Sequence, residues 1–109
     1  MTERPWAYGC SPYAAPTPDG IQQNVTLGQN LARRMWDDGY WPSLPHLYAP
    51  QFLPDEVPET RQIGLEWGLR LLAKCQVIYV YRGAPPSSGM QREIAEAIRL
   101  GIPERIWIP

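Results

Sequence analysis

Val77-Ile78-Tyr79-Val80-Tyr81, then Arg82-Gly83-Ala84-Pro85-Pro86, then Ser87-Ser88-Gly89-Met90-Gln91-Arg92-Glu93-Ile94: the fold is read from this run. Five apolar residues without alternation read as a strand buried on both faces, as strands of a parallel sheet are. The Gly/Pro loop stops the strand, and a helix then runs to about Leu100. Ser88 is placed to cap it, and Gly89 lets the backbone come close to a ligand. The free N–H groups of such a helix start attract anions. Glu93 lies one turn further in and leans back toward the same space. A donor-rich turn of Ser87, Ser88, Gly89 and Met90, with a carboxylate behind it, suits a phosphorylated or sugar-like ligand.

Outward from this run the same alternation repeats. Trp6-Ala7-Tyr8-Gly9-Cys10 reads as a first buried strand, ending in Ser11-Pro12-Tyr13. Asp19 is placed to cap a helix from about Ile21 to Asp38, with a stripe of Ile21, Val25, Gly28, Ala32 and Met35, and Gly39 ends it. Tyr40 to Leu44 is a weaker strand, put at a sheet edge by Pro42, which has no N–H to donate. Pro45 to Pro58 is a long, aromatic-rich connection that reads as a packed lid, with His46 in it. A second helix spans about Glu59 to Lys74, and its Gly64 and Gly68 imply close packing. Ile94, Ala97 and Ile98 form the apolar face of the third helix, and Arg105 to Ile108 is a last strand.

Strands alternating with helices imply a parallel sheet covered on both faces. The expected class is α/β: a three-layer, Rossmann-like fold in flavodoxin-like order, with four to five parallel strands. The first strand is then central with the third beside it, and ligands bind at their C-terminal ends. That crevice would be lined by Ser11, Pro12 and Tyr13 on one side and by Pro85 to Glu93 on the other.

Composition narrows the function classes. With 109 residues the chain reads as one domain, 1–109. A net charge of −1 argues against a dedicated nucleic-acid binder. No apolar run is long enough for a membrane-spanning helix and the N-terminus has no signal-peptide core, so a cytoplasmic protein is expected. One histidine and two distant cysteines suggest neither a disulfide framework nor a metal site, and no cofactor is expected. Five tryptophans and two-faced helices point to a homo-oligomer.

Taken by residue type alone, Glu93 is a solvated helix glutamate; its place at the crevice makes it a candidate nucleophile or general base. Tyr13, at the end of the central strand, could bond a carboxylate or stack on a base. His46 belongs with the ligand-lining residues, and Arg82 favours an anionic ligand. Cys10 reads as a small buried residue, and Glu66 faces either the crevice or water.

Several pieces together resemble the nucleoside 2-deoxyribosyltransferase-like superfamily, within it a group of short uncharacterised phage or bacterial domains. They are Ser11-Pro12-Tyr13, Asn24, Pro45-His46-Leu47-Tyr48, Pro50-Gln51-Phe52-Leu53, Gly64-Leu65-Glu66-Trp67-Gly68, Ser88-Gly89-Met90 through Glu93-Ile94, and Gly101-Ile102-Pro103. The resemblance implies that Glu93 attacks the anomeric carbon of a deoxyribose, expels the base and forms a covalent intermediate that a second base or water resolves. Ser88 and the N–H groups of Gly89 and Met90 would hold a sugar hydroxyl or phosphate, and Tyr13 would orient the glutamate or pack on the sugar. The enzymes of that superfamily carry an acidic residue in or after the preceding strand; here the sequence is Tyr79-Val80-Tyr81-Arg82, and Glu66 or Glu59 would have to substitute. Two functions follow: an enzyme acting on the N-glycosidic bond of a nucleoside or nucleotide, by transfer or hydrolysis, or a non-catalytic binder of a nucleotide or nucleotide-derived signal.

Overall fold

The computed structural model describes residues 3–109. Strands and helices alternate: β1 (Trp6–Cys10), α1 (Pro18–Asp37), β2 (Trp41–Ser43), α2 (Pro58–Leu72), β3 (Val77–Tyr81), α3 (Ser88–Leu100) and β4 (Glu104–Trp107). Two short 3-10 turns, Pro45–Leu47 and Ala49–Gln51, precede α2. The four strands form one sheet in the order β2-β1-β3-β4, each neighbouring pair parallel. The sheet and its helices make the Rossmann-like α/β architecture expected, with β1 and β3 adjacent at the centre. Among the described residues no helix is long and apolar enough to cross a membrane.

The period of two along each strand divides the core. Ala7, Val77 and Tyr79 face α1 and pack with Leu31, Met35 and Leu44. Tyr8, Cys10, Ile78 and Val80 face the other way, toward Leu72 of α2 and Met90 and Ala97 of α3. Both central strands are therefore covered on both sides, which is why their sequences lack polar alternation. Pro42 lies on the edge strand β2, as its missing donor requires.

Helix ends and faces differ in detail from the sequence expectation. Thr17, not Asp19, caps α1: its Oγ1 accepts from the Gly20 N–H at 3.1 Å. Pro18 then occupies the first turn, where its missing donor costs nothing. The buried face of α1 is Gly28, Leu31 and Met35, rotated toward Leu31 from the expected stripe. Ser87, not Ser88, caps α3 and accepts from the Met90 N–H at 3.3 Å. Met90 and Ala97, with Ile94 beside them, form the packed face of α3, while Ile98 is 74% exposed. Gly101 ends the helix at φ 72°, a left-handed conformation that glycine adopts without steric cost. β4 runs one residue ahead of the expected Arg105 to Ile108.

The stretch from 45 to 58 is fastened to α2. The rings of Tyr48 and Phe52 lie 5.7 and 5.8 Å from that of Trp67. The Thr60 hydroxyl donates to the Pro54 carbonyl at 2.6 Å. This long connection is thus packed cover over one end of the sheet, as its aromatic content suggests.

Candidate functional site

A pocket of about 130 Å³ opens at the C-terminal ends of β1 and β3, where the strand order reverses. Ser11 and Tyr13 line it from the β1 side, and Ser87, Gly89, Met90 and Glu93 from the β3 side. His46, Ala49, Pro50 and Leu53 close it from the packed cover, and α2 adds Arg61, Gly64 and Leu65.

Glu93 lies beneath α2. The Tyr8 hydroxyl, fully buried in the middle of β1, donates to Glu93 Oε2. Gly68 makes room for this pair: a Cβ there would stand 2.8 Å from Tyr8 Oη and 3.3 Å from Glu93 Oε2. Burial pushes the Glu93 carboxyl up to about 7, against the hydrogen bonds from Tyr8 and Cys10 that favour ionisation. Near neutral pH it is thus divided between the carboxylate and the neutral acid. Burial, then the charge of Glu93, holds the Tyr8 phenol well above its ordinary range, so it remains a donor. The Cys10 thiol is raised by the same two causes and stays neutral, its Sγ 3.8 Å from the Met90 carbonyl.

Tyr8→Phe removes the donor that favours the ionised form. The Glu93 titration is expected to move above about 7, read directly from the carboxyl shift of labelled glutamate. An unchanged midpoint would show that the hydroxyl does not tune Glu93.

The other expected residues divide into two groups. Tyr13 lines the pocket, and its carbonyl accepts from Asn24 Nδ2 at 3.0 Å, which fixes the turn after β1. Its phenol is raised by burial and then by the charges of Asp55 and Glu56. The tyrosine bonded to Glu93 is Tyr8, not Tyr13, because only β1 residues on the α2–α3 side of the sheet reach α3. Ser11 Oγ and His46 Nε2 are 2.8 Å apart, tying the cover to the end of β1. Burial lowers His46 to about 4, so it is a neutral ring at pH 7. Pro12 and Ser88 are not among the residues lining the pocket, and neither is Arg82. Arg82, expected to meet an anionic ligand, is committed to Glu104: its Nη2 and Nε donate to the two carboxylate oxygens at 2.8 and 3.1 Å. Glu59 and Glu66 are exposed, and Glu66 accepts from Gln62 Nε2, so neither supplies a pocket acid.

Tyr8, Asp55, Thr60 and Arg61 line the pocket without having been expected there. Strand alternation offered a signal for Tyr8, which shares the face of Cys10. Asp55 and Arg61 carried no local signal, since their place depends on how the cover folds back.

The architecture and this pocket define a Rossmann-like α/β protein with a carboxylate at the switch point of its sheet. The chain belongs to the family described as "Domain of unknown function (DUF7768)", whose model matches residues 5–107. Its fold is similar to that of a solved 2-deoxyribosyltransferase from Bacillus psychrosaccharolyticus, with a TM-score of 0.65 and 14% identity, covering 92% of this chain and 69% of that one. No curated protein matches the sequence.

Proposed function

We propose that this protein acts on the N-glycosidic bond of a nucleoside or nucleotide, with Glu93 as the nucleophile. The observation that carries the reading is the Glu93 carboxyl, bonded to Tyr8, opening on a mostly apolar pocket and titrating near neutrality. The similarity of fold to a 2-deoxyribosyltransferase supports the substrate class. In the first step a Glu93 oxygen bonds to the anomeric carbon as the carbon–nitrogen bond breaks, and the electron pair leaves with the base. In the second, water or another base takes the sugar and frees the carboxylate. Tyr8 orients the attacking carboxylate and eases its ionisation, and the cover keeps bulk water from the intermediate.

A second reading is a binder without turnover. It is favoured by one observation: the end of β3 offers the pocket no carboxylate, since Arg82 turns to Glu104. Chromatography of nucleosides and nucleotides incubated with the protein separates the two. Release or exchange of a free base supports the enzyme. Binding of an intact compound with no release by the wild-type protein would establish the binder instead.

A further inference from the structure

Helix α2 runs over the pocket as a graded wall. Gly68 sits over the Glu93 carboxyl, as the distances to a Cβ there show. Gly64, four residues earlier, lines the pocket, and a Cβ on it would meet nothing within 4 Å. Arg61, three residues earlier again, also lines the pocket. Positions 61, 64 and 68 share one helix face, and seven residues span roughly 10 Å at 1.5 Å rise per residue. A sugar over Glu93 would therefore carry its base past the open space at Gly64 toward Arg61.

Arg61 is the one pocket-lining side chain, among the described residues, that carries positive charge at neutral pH. Its ion-pair contact is to Asp55, which lines the same pocket: Nη1 to Oδ2 is 3.9 Å, with the side chains 42% and 31% exposed. A single long contact of this kind is weak, and it orients the guanidinium without occupying it.

The geometry points to Arg61 as the group that stabilises the departing base. This inference rests on the glycosidic reading above. When the carbon–nitrogen bond breaks, the electron pair passes into the heterocycle and spreads to its ring nitrogens and carbonyl oxygens. A fixed cation at the far edge of the base meets that charge as it develops, in a pocket with apolar walls. The base leaves as an anion paired with Arg61 and takes its proton from water, so no carboxylic acid is needed at the end of β3.

The test is kcat/KM for base release from a series of nucleosides whose free bases differ in N–H acidity, with wild type, Arg61→Met and Arg61→Lys. Arg61→Met is expected to lose roughly 100-fold on the poorest leaving groups, the range for removing one charge-stabilising donor. The loss should shrink toward the most acidic bases, and Arg61→Lys should recover part of it. A loss equal for all bases, or no loss at all, would overturn the role of Arg61 and leave the glycosidic reading standing. No release from any nucleoside by wild type would overturn both.

Discussion

Glu93→Gln is expected to reduce base release by roughly 10⁴-fold or more, because the amide cannot form the covalent sugar ester and the other pocket carboxylate, Asp55, faces Arg61 instead. Glutamine matches the carboxyl in shape and can still accept from Tyr8, so intact nucleoside should bind. The same variant has a second signature. Glu93 titrates at about 7 in the folded protein, above its ordinary value of 4.5. The folded protein thus holds that proton more tightly than the unfolded chain does. The stability this provides is full below about 4.5 and is lost as the pH rises toward 7. Glutamine carries no charge, so Glu93→Gln should melt above wild type at pH 8, with the difference shrinking toward pH 4. Loss of base release together with this pH-dependent difference in melting temperature is the expected result. Undiminished release would remove Glu93 from the chemistry, and a melting difference independent of pH would show that its ionisation is not disfavoured by folding.

The second large effect concerns two glycines on one helix. Gly68→Ala places a methyl 2.8 Å from Tyr8 Oη and 3.3 Å from Glu93 Oε2. Tyr8 is fully buried at the centre of the sheet and has little room to retreat. Overpacking of this kind costs about 1–3 kcal/mol, and in a domain of this size the melting temperature should fall by roughly 5 °C or more. Gly64→Ala meets nothing within 4 Å. There the gain in helix propensity acts alone and should stabilise by roughly 0.5–1 kcal/mol. Its methyl points into open pocket space, so it should raise KM for any ligand that extends toward Arg61. Calorimetry of the two variants is expected to give shifts of opposite sign. Equal shifts would mean that Gly68 is not the clearance above the Tyr8–Glu93 pair.

Much of the architecture was legible in the sequence because it depends on local periodicity. The apolar runs Trp6–Cys10 and Val77–Tyr81 read as strands covered on both faces, and Pro42 suggested an edge strand, as found. Alternation with helices then set a parallel sheet, and the strand order placed the turns after β1 and β3 side by side. That brought Ser11, Tyr13, Ser87, Gly89, Met90 and Glu93 to one pocket. Helix caps were readable only to within a residue or two, since Thr17 and Asp19, or Ser87 and Ser88, are chemically competent alternatives and backbone geometry chooses between them.

What the tertiary structure alone decided are the pairings between distant residues. Tyr8 meets Glu93 across 85 positions because the β1 face that carries it is the one α3 covers. Arg82 was expected at the ligand, yet Glu104 captures it, because β4 runs parallel beside β3 and brings a carboxylate within reach. Asp55 and Arg61 enter the pocket only because the stretch from 45 to 58 folds back on Trp67. Periodicity fixes which way a side chain points from its own element. What it meets there depends on which other element covers that face, and this is a property of the assembled layers.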